Sequence, residues 1–499
     1  MGRQIRRVAV IGTGPAGAIA TDALVKEQAF DTVRVFERKA VSGGTWVYAP
    51  DKKPGIPSVR ALLAGSADTP IDIPTSFPAE TECTDAVNNH RRRYADTGIH
   101  AELHSNLPAE HMAFTQEPIP AVLSDRTLTQ YGPGTPFRHR EVIRQWVENL
   151  FRRDGHLGLV SFSTTVERAE KTTGAGGEWV LTLRREVAHP DGMGRRRNQW
   201  WQETFDAVVV ANGRYSLPYL PDIPGLADYA ERFPGRIRHS KHFRSADDFA
   251  GKRVVVVGGS VSAFDALHEI RRVAQRPVVA SLHEPLPAFG WGAFVHPHVQ
   301  IRPHIVAVHA DGAQAGRIEF ADGSVLDGGD DEDLVVLFAT GYDVSCPFLP
   351  TIQTTRIRNR CIRGLYQHVF DVEDPSLAFL GMITGGLTFR AFEWQAVAVA
   401  RLFAGRAVLP PADEMRQWEK SHAAERGEGG AFCSIAPAFR EYFEGLRRLA
   451  GEPAAGTTGR VLPRFEQAWT ESFSQIVWLR QQWWERERRK TVVEEAAKL

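Results

Sequence analysis

Two runs of small residues, GTGPAG at 12–17 and GGSVSA at 258–263, have the composition and spacing to do chemistry. In the first, Gly12, Gly14 and Gly17 complete a GxGxxG. Gly12 permits a tight turn, Gly14 lets backbone approach a pyrophosphate, and Gly17 lets a helix pack closely on a strand. Pro15 and Ala16 open the helix whose unpaired N–H groups and partial positive charge would face the phosphates. Glu37 stands twenty residues past Gly17, where a carboxylate accepts bonds from ribose hydroxyls. That carboxylate disfavours a 2′-phosphate, so the first loop is read as an FAD or NAD site. The following RKAVSGGTW (38–46) adds Arg38, a second backbone approach at Gly43 and Gly44, then Thr45 and Trp46. NAD needs no such extension, whereas a flavin ring must be sheltered far from its adenine. FAD is therefore assigned to the first loop.

The elements that must position these residues are legible around them. VAVI (8–11) is a continuous apolar run of the kind a strand buried on both faces needs. A helical pattern follows through AIATDALVKE, and DTVRVFE supplies the next strand. KRVVVVGGSVSAFDALH (252–268) repeats strand, turn and helix, with Ser260 and Ala263 in place of the second and third glycines. Gly258, Ser260, Val261 and Ser262 form this second loop, Asp265 lies in the helix's early turns, and PVVASLHEP (277–285) carries Ser281 and His283 past it. The fold class is α/β, with two Rossmann-like dinucleotide-binding domains. An NADP domain at 216–333 is inserted between the two parts of an FAD domain, 1–215 and 334–499.

Between the loops lies FPGRIRHSKHF (233–243), which no simple secondary structure explains. Its Phe233, Gly235, His239 and Phe243 match F-x-G-x-x-x-H-x-x-x-[FY], and with the segments around it the chain resembles the flavin-containing monooxygenases, a family of class B flavoprotein monooxygenases. The resemblance runs from about residue 5 to about residue 405. In order it takes in GxGxxG, Glu37, GGTW (43–46), HSNLPAEHM (104–112) and AVVVANGRYSLPYLP (207–221). The 233–243 pattern, GGSVSA, LVVLFATGY (334–342) and LYQHVF…LAFLG (365–381) with Glu393 and Gln395 complete it. The tail lacks an apolar anchor, as in soluble fungal or bacterial members.

The resemblance implies FAD and NADPH as cofactors, and dioxygen and a small organic molecule as substrates. NADPH would reduce the flavin, which adds dioxygen at C4a and passes one oxygen atom to a soft nitrogen or sulfur nucleophile, an N,N-dimethylaniline monooxygenase type of activity. It also implies cofactor contacts at His104, Ser105, Asn106, Val166, Ala211, Gly213, Thr340 and Gly341, with Asn106 as the catalytic amide. The 233–243 pattern is read as a hinge: Gly235 frees the backbone, the aromatics anchor in two domains, and His239 bonds across the seam. Ser260 departs from the second glycine, and His283 stands where relatives place an arginine on the 2′-phosphate. Histidine is only partly protonated at neutral pH, so discrimination against NADH is expected to be modest.

Two rival readings stay open: a Baeyer–Villiger monooxygenase acting on ketones, whose related pattern differs at Phe243 and Arg244, and a catalytically silent flavoprotein redox sensor. A disulfide reductase would need a dithiol pair. Cys83, Cys346, Cys361 and Cys433 are far apart without a CxxC, and are read as buried thiols in a reducing compartment. Sixty basic residues balance sixty acidic ones, so nothing global recruits nucleic acid or an anionic membrane. The start MGRQIRRVAVIG has no signal core and no apolar run reaches the length of a span; a soluble cytoplasmic protein is expected.

Other features take ordinary readings. The Pro-rich 47–100 is surface or channel covering, HREVIRQWVENLF (139–151) a packed helix, and GMGRRRN (192–198) a solvated hairpin tip. Trp469, Phe473 and Val477 give the C-terminal helix an apolar face for the FAD domain or for a second subunit of a homodimer. His296, His298 and His304 are read as surface histidines, with no metal.

Overall fold

The computed structural model describes residues 4–50, 56, 58–83, 94, 96–173, 177–189, 195–329 and 331–497. Parts of the Pro-rich segment and residues 192–194 of the basic turn lie outside them. A seven-stranded sheet runs, in spatial order, Leu365–Tyr366, Phe370–Asp371, Leu377–Phe379, Ala207–Val210, Arg7–Ile11, Thr32–Phe36 and Val160–Ser161. Its central strands are parallel, Val8 opposite Val33 on one side and Ala207 on the other. Both faces are covered, so the apolar run 8–11 has no polar alternation to show. The helix Pro15–Glu27 packs on this sheet and on the helix Thr388–Phe403. A Cβ on Gly17 would lie 1.9 Å from the Gly12 carbonyl oxygen, so no other residue fits there. The expected helix at 139–151 is present as Arg140–Arg152. An antiparallel sheet of Ala79–Glu82, Arg196–Phe205, Trp179–Ala188 and Thr164–Lys171 lies beside this unit.

The second sheet is ordered Ile237–His239, Leu334–Phe338, Arg253–Val257, Val278–Ser281, Val299–Arg302, with every pair parallel. Leu334–Phe338 was expected to resume the first domain at 334. It instead fills the second sheet between two of its strands, because an all-apolar pentapeptide, buried throughout, needs neighbours on both edges. The crossing back comes just after it, where Tyr342–Asp343 pairs antiparallel with Leu217–Pro218.

The 233–243 segment enters this sheet as its edge strand. Gly235 takes φ +86°, which turns the chain into Ile237–His239. Phe233 and Phe243 are buried on opposite faces of the second sheet, Phe233 with Tyr229 and Ile237, Phe243 with Phe249 and Phe264. The expectation that they anchor in two domains is corrected: they flank the edge strand Ile237–His239, one before and one after it, and the chain delivers them to the two faces of the same sheet. His239 does reach the crossing. Its Nδ1 accepts from Lys241 N (3.0 Å), which leaves the Nε2 proton to be donated to Gly341 O (2.9 Å).

The cysteine reading is also corrected. Cys361 and Cys433 form a disulfide across 72 residues of sequence, while Cys83 and Cys346 are free. The short strand Cys361–Ile362 and the turn Gly430–Cys433 are brought together by the fold, with no local spacing to announce it. The C-terminal helix, Ala468–Ala496, finds its partners within the chain: Trp469 packs on Trp394 and Phe443 of the first unit, Trp483 and Trp484 in the core of the second. Of the three histidines read as exposed, His298 is buried and bonds Glu495 of this helix.

Candidate active site

A deep cleft follows the C-terminal edge of the first sheet. Its wall includes Gly12, Gly14, Pro15, Ala16, Glu37, Arg38, Gly44, Thr45, Val166, Ala211 and Gly213 of the expected residues. The loop is as the sequence requires. Gly12 has φ +108°, and a Cβ there would meet the Ala211 carbonyl oxygen at 2.5 Å. Gly14 and Gly44 abut: a Cβ on Gly44 would lie 2.6 Å from the Gly14 Cα. Two backbone segments thus approach the same space without side chains. The helix beginning at Pro15 has no side-chain cap and no acidic residue in its first turn, so its N–H groups remain available to an anion.

Glu37 is buried at the cleft, and its carboxylate is held in place. Oε2 accepts from Thr13 N (2.9 Å) and Thr13 Oγ1 (2.6 Å), and Oε1 from Lys39 N (2.8 Å). A carboxylate has about four acceptor positions, so capacity remains for a ribose hydroxyl. Trp46 is buried, edge-on to Phe389 at 6.1 Å. Its Nε1 is buried without a hydrogen-bond partner, as is Asn212 Oδ1 in the cleft wall. Asn212 Nδ2 is bound to Ser345 O at 3.0 Å, which aims the amide. Orphaned buried polar atoms are costly, and Asn212 presents one in the wall of the cleft, next to the phosphate-type loop. These features fit FAD.

Several functional positions were missed in the sequence. Asn212 stands inside the quoted Ala-x-Gly turn and could have been found from it. Lys39, whose Nζ donates to Gly44 O, and the apolar lining residues Ile383, Phe389 and Phe392 carry no local signal.

Other expected residues lie elsewhere. The His104 ring packs on Tyr131 and Phe137 at 5.4 and 5.9 Å, where burial pushes its pKa down to about 3. Ser105 is buried, its Oγ donating to Leu107 O and accepting from Arg138 N. Asn106 is exposed and makes no side-chain hydrogen bond among the described residues. None of the three lines the cleft. Thr340 and Gly341 serve the crossing between units, Thr340 Oγ1 donating to Tyr219 O.

The second loop repeats the first. Gly258 has φ +135°, and its Cβ would lie 2.5 Å from the Ala339 carbonyl oxygen, with Ala263 Cβ at 3.5 Å in the third glycine's place. Ser260 begins the helix Val261–Ile270 without a cap bond, so these N–H groups too can meet a phosphate, and Ser260, Val261 and Ser262 stand at that mouth. Ser281 is corrected: it is fully buried, and its hydroxyl is spent on Pro303 O at 2.9 Å. His283 is exposed and stacks on His304. Lys241 and Arg244, two cations of the segment before this loop, are buried and engaged elsewhere. Lys241 Nζ donates to Ser216 O, and Arg244 Nη2 to Thr97 O at 3.0 Å.

Two sheets with parallel central strands, each with a glycine loop opening a helix, and a cleft on the first have the architecture of a two-nucleotide flavoprotein oxidoreductase. The comparisons specify it further. A family model described as flavin-binding monooxygenase-like matches residues 112–284 and 292–451, and the chain belongs to that family. Flavin-containing monooxygenase iboF of Amanita muscaria is 28% identical over 91% of this chain and 90% of its own length. Flavin-containing monooxygenase ustF2 of Aspergillus flavus is 27% identical over 94% and 96%. Among solved structures, S-allyl-L-cysteine S-oxygenase from Allium sativum shares the fold with a TM-score of 0.70 at 24% identity, covering 99% of each chain. The protein is a flavin-dependent monooxygenase of a family that works with FAD and NADPH. No helix among the described residues is long and apolar enough to cross a membrane.

Proposed function

We propose that the protein uses NADPH and dioxygen to place one oxygen atom on a nitrogen or sulfur nucleophile of a small organic molecule. The observation that carries this reading is the cleft itself, whose wall combines a phosphate-type loop with the apolar side chains of Ile383, Phe389 and Phe392. Bound FAD supplies the redox chemistry and the activation of dioxygen. The chain's own residues hold and shield it. The 12–17 loop and helix N-terminus would take the pyrophosphate, Glu37 a ribose hydroxyl, and Asn212 offers its unpartnered Oδ1 to the cofactor from the cleft wall. The apolar side chains Ile383, Phe389 and Phe392 would keep water from the cofactor. The second loop takes NADPH. Asn106, which the family resemblance offers as a donor near the reacting oxygen, is kept in this reading although it stands outside the cleft wall.

A nitrogen or sulfur lone pair attacks without first losing a proton, so the pocket needs no catalytic base. The S-oxygenase named above shares this architecture, which supports sulfur as an acceptor. A panel of thioethers, tertiary amines and ketones, run with NADPH and isotopically labelled dioxygen, tests the reading by mass spectrometry. Sulfoxides or N-oxides carrying one labelled oxygen are expected. Esters from ketones would move the assignment to Baeyer–Villiger chemistry, and hydrogen peroxide as the only product would favour the redox-sensor reading.

A further inference from the structure

We infer that His283 and His304 together form a proton-coupled site for the 2′-phosphate of NADPH, so that preference for NADPH over NADH weakens as pH rises. The inference rests on the second loop binding NADPH as proposed above. In a Rossmann unit the adenine ribose lies past the end of the second strand, where a cation accommodates the 2′-phosphate. Here that strand is Val278–Ser281, and the chain beyond it curls over the glycine loop. A Cβ on Gly259 would strike the Glu284 carbonyl oxygen at 2.2 Å, and Leu286 N donates to Gly259 O at 2.7 Å. His283 is therefore fixed beside the loop, with its side chain exposed.

His304 comes from the next strand over. Val299–Arg302 pairs parallel with Val278–Ser281, Ser281 opposite Arg302. The Ser281 hydroxyl grips Pro303 O, and Ala321 N donates to His304 O at 3.0 Å. These bonds set the His304 ring face to face with His283, centroids 3.5 Å apart and planes 23° from parallel. Ser281 is thus a positioning residue for the pair.

Two imidazoles at that separation cannot both carry charge without an anion. Burial and then repulsion from His283 push the His304 pKa down, so charging the His304 ring against His283 is unfavourable in the free protein. A phosphate dianion over the two rings reverses this, because the protonated forms donate to it. Binding must then take up protons, and the added affinity falls as pH rises above the range of histidine. The other charged groups nearby are Glu284 on the same loop, Arg302 and Asp322. Arg302 stacks over Phe320 at 5.0 Å and bonds Val325 O, and the Asp322 carboxylate takes Ser324. Arg302 and Asp322 are thus engaged elsewhere, Glu284 is exposed, and neither carboxylate is ion-paired with either ring among the described residues.

Isothermal titration of the FAD-loaded protein with 2′,5′-ADP and with 5′-ADP, at pH 6.5, 7.5 and 8.5 in two buffers of different ionisation enthalpy, tests this directly. The 2′-phosphate itself titrates near pH 6, so the range keeps it mostly dianionic. Tighter binding of 2′,5′-ADP is expected, with net proton uptake and an advantage that shrinks with pH. His304→Ala should lose roughly tenfold of that advantage, the scale of a bond to a charged group, and lose part of the proton uptake. His283→Arg should strengthen the preference and remove its pH dependence. A 2′,5′-ADP preference that stays constant with pH and survives His304→Ala would overturn the inference while leaving NADPH as the cofactor. Equal binding of the two nucleotides at every pH would overturn both.

Discussion

Arg480 Nη1 lies 3.0 Å from Asp265 Oδ1, joining the C-terminal helix to the helix that opens on the second glycine loop. The guanidinium is 2% exposed and the carboxylate 29%. Around them Trp483 and Trp484 enter the core of the second unit, while Trp469, eleven residues earlier than Arg480, is in the core of the first. One helix therefore straps both nucleotide units, and its only deeply enclosed charge, among the described residues, is paired across that junction.

Removing one partner of such a pair leaves a stranded charge, which typically costs 3–5 kcal/mol when fully enclosed. With Asp265 partly exposed, Arg480→Met should destabilise by about 3 kcal/mol in urea unfolding. The double variant Arg480→Met/Asp265→Leu replaces the pair by apolar packing and should recover most of that. A double variant no more stable than the single one would show that Arg480 acts by packing on Phe264 and Phe289 instead.

The first loop predicts flavin content. Gly14→Val adds a side chain where a Cβ already reaches 3.4 Å from the Gly44 Cα, and it blocks the approach of a pyrophosphate. The variant should purify colourless or with only a small fraction of the wild-type FAD absorbance. Full flavin occupancy would mean the cofactor does not cross this loop.

What could be read from the sequence was what local geometry dictates. Gly12 against Ala211 O and Gly258 against Ala339 O are both 2.5 Å approaches seen from a Cβ, and a glycine is the residue that announces such an approach. Glu37 and Trp46 followed by spacing from those loops. What stayed hidden depended on distant pairing. Leu334–Phe338 looks the same whichever sheet it joins, Cys361 and Cys433 have no common local pattern, and a serine at 281 does not reveal that its hydroxyl is turned to Pro303. His104 and Ser105 were carried over by resemblance and face an aromatic cluster and a turn instead of the cleft.

Lys241 gives a pH-dependent signature. Its ammonium is buried at the seam, donating to Ser216 O and lying 5.4 Å from the Tyr94 ring, and desolvation pushes its pKa down to about 7. The unfolded chain keeps the ordinary lysine value near 10.4. Between about pH 7 and pH 10 the unfolded state then binds more protons, so this residue's contribution to stability rises with pH. Lys241→Met should be more stable than wild type at pH 7, with the gap in melting temperature narrowing towards pH 9. A gap that stays constant over that range would show Lys241 to be fully charged in the folded protein.

Asn106 is the most exposing test of the proposed chemistry. An asparagine before Leu-Pro is an ordinary turn former, and its amide is often spent closing the turn. Here that work falls to Ser105, whose hydroxyl bonds both Leu107 O and Arg138 N, while the Asn106 amide is exposed and unbonded among the described residues. Asn106→Ala should therefore fold and bind FAD as the wild type does. If the amide donates to the activated oxygen, its loss removes a contact of the kind that typically contributes about 2.7–4 kcal/mol at a developing charge. NADPH oxidation should continue, with hydrogen peroxide released in place of oxygenated product. Peroxide yield and labelled product measured together, per NADPH consumed, distinguish the outcomes. Unchanged coupling in a well-folded, flavin-loaded Asn106→Ala would remove this residue from the mechanism and return the stabilising role to the groups that line the cleft, Asn212 first among them.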